Sequence, residues 1–179
     1  MDESSAPLAP WPDDEFVDFA QARQHGLLRA AYLVSGDLRL AERAVLEALV
    51  QLARQWPRLR EEQPDLFVRR LVYRDAVASW RHRAPAEVGE ASQPGGVDPE
   101  EEWGDEDAER RAEVVLALDA LTPGQRAVVV LRWFEERPEG EAAQVLGCSV
   151  AAVRADAESA VARLRAALPR VDLDTGGIR

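Results

Sequence analysis

The sequence predicts an all-α fold: two small helical bundles joined by a flexible acidic linker, the second bundle containing a helix-turn-helix. Three observations carry this prediction. Apolar residues recur at helical steps of three and four through most of residues 16–83 and 108–168, the mark of helices with one buried stripe. No stretch alternates with the two-residue period of a half-buried strand. Between Pro138 and Leu164 a short periodic segment, the turn residues Gly147, Cys148 and Ser149, and a longer periodic segment follow without a gap, which is a helix-turn-helix pattern.

Residues 1–15, rich in proline and acid, read as a disordered tail, Trp11 notwithstanding. The first helix begins near Phe16. Phe16, Phe19, Arg23, Leu27, Ala30, Ala31 and Val34 lie on or beside one stripe, and Ser35-Gly36 closes it. Asp37 is placed to cap the second helix, where Val45, Ala48, Leu49, Leu52 and Trp56 form a stripe that Pro57 ends. A third helix starts after Pro64 with Phe67, Leu71, Ala78 and Trp80 inward, leaving Arg69, Arg70, Arg74, Arg81 and Arg83 on its exposed side. Residues 16–83 thus form one helical domain. Residues 84–107 hold prolines, glycines and many acids and read as the linker. As a coil it spans roughly 25 Å, and stretched it reaches on the order of 75 Å, so the domains can occupy sites more than one DNA turn apart.

The second domain, residues 108–168, opens with Val114, Val115, Leu118 and Leu121 on one stripe. Thr122, Pro123 and Gln125 then supply an N-cap, a proline at the first helical position and the partner of a capping box, worth about 1 kcal/mol. The segment from Arg126 to Glu136 is β-branched enough to resemble a strand, yet the cap and the flanking helices favour a helix. Pro138 begins the helix-turn-helix. Gly147 can take the left-handed conformation that ends a helix, and Ser149 can accept from the first free amides of the next. Ala142, Ala143, Val145 and Leu146 give the first helix its buried side, and Val150, Val153, Ala157, Val161 and Leu164 give the second its own. The outward face of the second is Ala151, Ala152, Arg154, Ala155, Glu158 and, to one side, Asp156. Pro169 follows, and residues 169–179 form a tail.

Composition excludes several classes. No run of 18 uncharged apolar residues exists, and the N-terminus is acidic where a signal peptide would be basic. A cytoplasmic protein with no membrane partner is expected. One cysteine, Cys148, excludes an internal disulfide, and with only His25 and His82 beside it no metal site is expected. No phosphate-cradling glycine loop and no nucleophile–histidine arrangement is present, so neither a cofactor nor an enzymatic activity is expected. The net charge of −11 argues against nucleic acid, but its distribution changes that. Residues 84–113 hold eleven acids and two bases, whereas residues 16–83 hold twelve bases and eight acids, and all 22 basic residues are arginine.

The order of these pieces resembles the extracytoplasmic-function sigma factors of RNA polymerase, the group IV branch of the sigma-70 family, in their actinobacterial type. The resemblance is carried by Leu27–Leu49, by Phe67–Arg83, by Leu121–Glu136 and by Glu141–Arg165, in the family's order and spacing. It implies a first domain that binds the clamp of core RNA polymerase and helps melt the −10 element. The second domain would dock its recognition helix, beginning at Ser149, in the −35 major groove of promoter DNA. Arg69, Arg70, Arg74, Arg81 and Arg83 would then meet phosphates and the opened strand, with Trp80 stacking on a base. Arg154, Arg163 and the amide end at Ser149 would anchor the recognition helix, and Ala151, Ala152, Ala155, Asp156 and Glu158 would face the groove. Glu42, Arg43, Val45, Leu46 and Glu47 would meet polymerase. An anti-sigma factor is a further implied partner, and the polymerase-bound protein would associate with the nucleoid.

Two departures from the family pattern bear on function. The usual Ala-Glu-Asp-x-Val-Gln of the polymerase-contacting helix reads Ala41-Glu42-Arg43-Ala44-Val45-Leu46 here, exchanging an acid for arginine and an amide for leucine. In the recognition helix the usual glycine, threonine and serine are Ala151, Ala152 and Ala155, and Asp156 and Glu158 add acids. A like charge about 4 Å from a phosphate costs on the order of 1 kcal/mol in water. The alternative is therefore a degenerate sigma-like protein with weakened DNA reading that regulates through protein–protein interaction.

Overall fold

Asp13 opens the first helix, its carboxylate accepting from the Phe16 amide at 2.8 Å. The computed structural model describes residues 13–81 and 117–167, and of residues 80, 81 and 167 the backbone alone. Helix α1 (Asp14–Ser35) ends at Gly36, which adopts φ 68° so that its amide can reach the Tyr32 carbonyl. A residue with a Cβ is disfavoured there. Asp37 caps α2 (Leu38–Leu59) through the Leu40 amide at 3.0 Å. After residues 60–63, α3 (Pro64–Arg81) runs back along the pair. Leu27, Ala31, Ala41, Val45, Ala48, Leu52, Val68 and Val72 fill the space between the three helices, and Phe16 meets the Trp56 ring edge-on at 5.3 Å.

The predicted stop at Pro57 is corrected, since α2 continues to Leu59 with the Arg60 amide bonded to the Trp56 carbonyl. Proline's fixed φ suits a helix, and its missing N–H removes only one bond from a last turn already held by Trp56.

Residues 117–119 are helical and lead to α4 (Pro123–Val129). Both halves of the capping box form, Thr122 Oγ1 accepting at 3.3 Å and Gln125 Oε1 at 3.2 Å. The strand-like run of valines is helical, as its cap requires. From Val130 to Phe134 it widens into a π-turn, and Glu136 at φ 53° reverses the chain. Helix α5 (Glu139–Leu146) and helix α6 (Val150–Ala167) follow, joined at Gly147 with φ 65°. No strand occurs among the described residues.

The two groups of helices pack against each other. Ala30 and Val34 of α1 and Tyr73 and Ala76 of α3 share one apolar cluster with Ala127, Val128, Leu131, Ala142 and Val153. The buried Arg126 reaches from α4 to Asp119 at 2.7 Å and to the Val34 carbonyl at the end of α1 at 3.5 Å. Residues 13–15, expected in the N-terminal tail, instead cap and open α1, while residues 1–12, the C-terminal tail, the linker at 84–107, Arg83, and the start of the second domain with Val114 and Val115 lie outside the described residues.

Candidate nucleic-acid interface

The local chemistry that builds the start of α6 is the one its sequence implies. Gly147 ends α5, and Ser149 Oγ accepts from the Ala152 amide at 3.1 Å, fixing the first turn of α6. Val153 and Ala160 are fully buried, and Leu164 packs half-buried against Leu118 and Leu121. Val150, expected inside, is instead 42% exposed, because it sits at the helix tip beyond the reach of the core. Ala151, Ala152, Arg154, Ala155 and Glu158 are all exposed on the outward face.

Arg154 is not free on that face. Its Nη2 donates to Glu139 Oε2, at the start of α5, at 2.8 Å. That bond, ahead of the charge attraction itself, holds the Glu139 carboxyl below its ordinary value. Asp156 leans aside, its Oδ2 3.8 Å from where a Cβ on Gly124 would stand. Partial burial, then the Asp156 charge, push the Cys148 thiol up and leave it protonated near neutrality. Arg163 does not join Arg154. It reaches the Ala120 carbonyl at 3.4 Å, since nine residues at 100° each place it half a turn away.

Arg69 is also corrected. Expected on an open basic face, it is 8% exposed. Asp65, one turn earlier, bonds it at 2.8 Å, and Glu135 from the π-turn bonds it from the other side. Arg137 adds a 3.2 Å contact to Asp65. The inward residues of α3 are Val68, Val72, Tyr73 and Ala76, with Phe67 and Leu71 half-buried and Ala78 exposed. The second group of helices covers a side of α3 that the sequence reading left to water, which turns the apparent stripe by one residue.

Arg70 and Arg74 remain exposed and line an open groove of about 750 Å³ with Phe67, Leu71 and the end of α5. Phe67, three and seven residues before those arginines, packs half-buried against the core as its pattern predicts and also walls this groove. Its spacing would have placed it with them, but helical periodicity alone cannot separate a groove wall from an interior. On α2, Glu42, Arg43, Leu46 and Glu47 are exposed, Leu46 by 64%. Val45, expected among the polymerase contacts, lies in the core. The side chains of Trp80 and Arg81, like Arg83, lie outside what the structure describes.

Two packed helical groups, one presenting a capped helix-turn-helix with an exposed outer face on α6, define a protein of the helix-turn-helix class. The model for Sigma-70, region 4 matches residues 111–164. RNA polymerase sigma-E factors of Streptomyces avermitilis and Streptomyces coelicolor are each 32% identical over 164 residues, covering 89% of this chain and 88% and 89% of theirs. Two solved structures share the fold. One is CnrH in complex with the cytosolic domain of CnrY, at 22% identity and TM-score 0.63, covering 88% of this chain and 89% of that one. The other is the sigma factor RpoE with the anti-sigma factor NepR from Bartonella quintana, at 17% identity and TM-score 0.68, covering 89% of this chain and 100% of that one. The chain belongs to the extracytoplasmic-function sigma factors of the sigma-70 family.

No helix among the described residues is long and apolar enough to cross a membrane, and no group of three or more His, Cys, Asp or Glu among them is placed to hold a metal ion.

Proposed function

We propose that this chain is a promoter-recognition subunit that joins core RNA polymerase and directs transcription initiation, with no catalysis of its own. The observation that carries the reading is the capped helix-turn-helix, whose alanine-lined outer face is open to a major groove and carries Arg154. In this reading α6 takes a −35 element. The groove of Phe67, Arg70 and Arg74 takes the opened −10 strand, combining cations with an aromatic face. The exposed α2 face of Glu42, Arg43, Leu46 and Glu47 meets polymerase. A structural neighbour was solved with an anti-sigma factor, which makes such a factor a partner in this reading, and the polymerase-bound chain would reside on the nucleoid.

A second reading, a regulator that works through protein contacts, is favoured by one observation. The charge of Arg154 is already met by Glu139, and Glu158 stands on the same face. Purified chain, core polymerase and host promoter DNA decide between them. The first reading expects specific transcripts and their loss on Arg154→Glu. Binding to polymerase or an anti-sigma partner without salt-dependent DNA retention would establish the second.

A further inference from the structure

Glu139 is the first residue of α5 and Arg154 the fifth of α6. The helix crossing at Gly147 brings them together on the outer side of the molecule, with side chains 30% and 62% exposed. Among the described residues Glu139 is the one acceptor hydrogen-bonded to this guanidinium. A guanidinium carries five donors in one plane. One carboxylate oxygen on Nη2 tethers the guanidinium at that corner and leaves further donors for a second acceptor group.

An exposed ion pair of this kind adds little to folding stability. What it removes is the rotamer freedom of a long side chain before DNA arrives, a cost otherwise met on binding. It also cancels the charge by which Arg154 would attract any phosphate, so the residue contributes less to binding of arbitrary duplex and more to discrimination. The neighbours Ala151, Ala152 and Ala155 offer only methyl groups, so no other polar side chain among them competes for a base edge. In the major groove guanine presents two acceptors, N7 and O6, side by side, which a fork of two N–H groups matches. Adenine sets a donor beside its N7, and neither pyrimidine offers two adjacent acceptors.

We propose that Glu139 is a positioning residue for base reading, holding Arg154 across the outer face of α6 so that the open part of its guanidinium meets N7 and O6 of a guanine. This rests on α6 being the DNA-reading helix.

The test uses the full chain with core polymerase and a duplex library randomised across the upstream promoter element. Retained sequences are read for wild type, Arg154→Ala, Glu139→Gln and Glu139→Ala, with thermal melts to confirm folding. Wild type should show one position dominated by guanine, and Arg154→Ala should erase that preference. Both Glu139 variants should weaken guanine selection at that same position by about 3- to 10-fold, while retention of unrelated duplex holds or rises because an acid has left the face. Unaltered guanine selection in both Glu139 variants, or an equal loss on every sequence, would overturn the positioning role and leave the reading helix intact. If wild type retains no DNA, or Arg154→Ala selects the same sequences as wild type, α6 is not the reader and both ideas fall.

Discussion

Arg69 is held between two carboxylates from opposite groups of helices, Asp65 and Glu135, in a site where Glu135 is 8% exposed. The Tyr73 hydroxyl lies beside Glu135 yet outside hydrogen-bond geometry, and burial keeps it protonated. Burial pushes Glu135 above the usual carboxylate range, against the pull of Arg69 and Arg137. Burial would raise Asp65 too, but Arg69, Arg137 and Arg23 outweigh it and leave that carboxyl low. The two groups therefore act oppositely with pH. The Glu135 contribution to stability is present below the unfolded glutamate pKa of about 4.3 and is lost as pH rises through its raised folded value. The Asp65 contribution is present above about 3.9 and is lost as pH falls through its lowered folded value. In thermal melts, wild-type stability relative to Glu135→Gln should decline as pH is raised from about 4 toward neutrality. A rise over that window would contradict the burial argument. The Asp65–Arg69 spacing of one turn was legible in the sequence, but the second partner, Glu135, lies 66 residues away and was not.

Side-chain and glycine caps were the most legible features, although the Asp13 cap and the run of α2 past Pro57 were missed. Asp37, Gly36, Thr122, Gln125, Gly147 and Ser149 each do what their residue type dictates, because a cap is settled by three or four neighbouring residues. Faces were less legible. The α3 stripe shifted because a second layer covers it, and the π-turn at Val130–Phe134 left no signal in a run of valines. Thr122→Ala should cost about 1 kcal/mol in urea unfolding. The capping partner Gln125 also donates to Ser159 of α6 at 2.9 Å, so the loss should loosen the seat of α6 as well. Amide exchange in α6 that stays unchanged in this variant would show that the two helices are not joined through Gln125.

At the scale of the whole molecule, the all-helical class and the order of the pieces were readable from periodicity, whereas the contact between the two groups was not. That contact joins residues 66 to 92 positions apart, beyond the reach of any local pattern. Glu135→Arg would set a third cation against Arg69 and Arg137 in a half-dry site, where like charges repel strongly. The two groups should then part, read as an increase in radius of gyration on the order of 2–3 Å by small-angle scattering, with helical content retained. A radius equal to wild type would mean that the apolar cluster alone holds them.

Helix α5 is eight residues long, about 12 Å. Its flank is seated on α3 through the common cluster, and its leading tip steers Arg154. A rod so short does not flex along its own length. It works as a lever with its fulcrum in the seam, so parting the halves would also tilt Arg154 on the outer face.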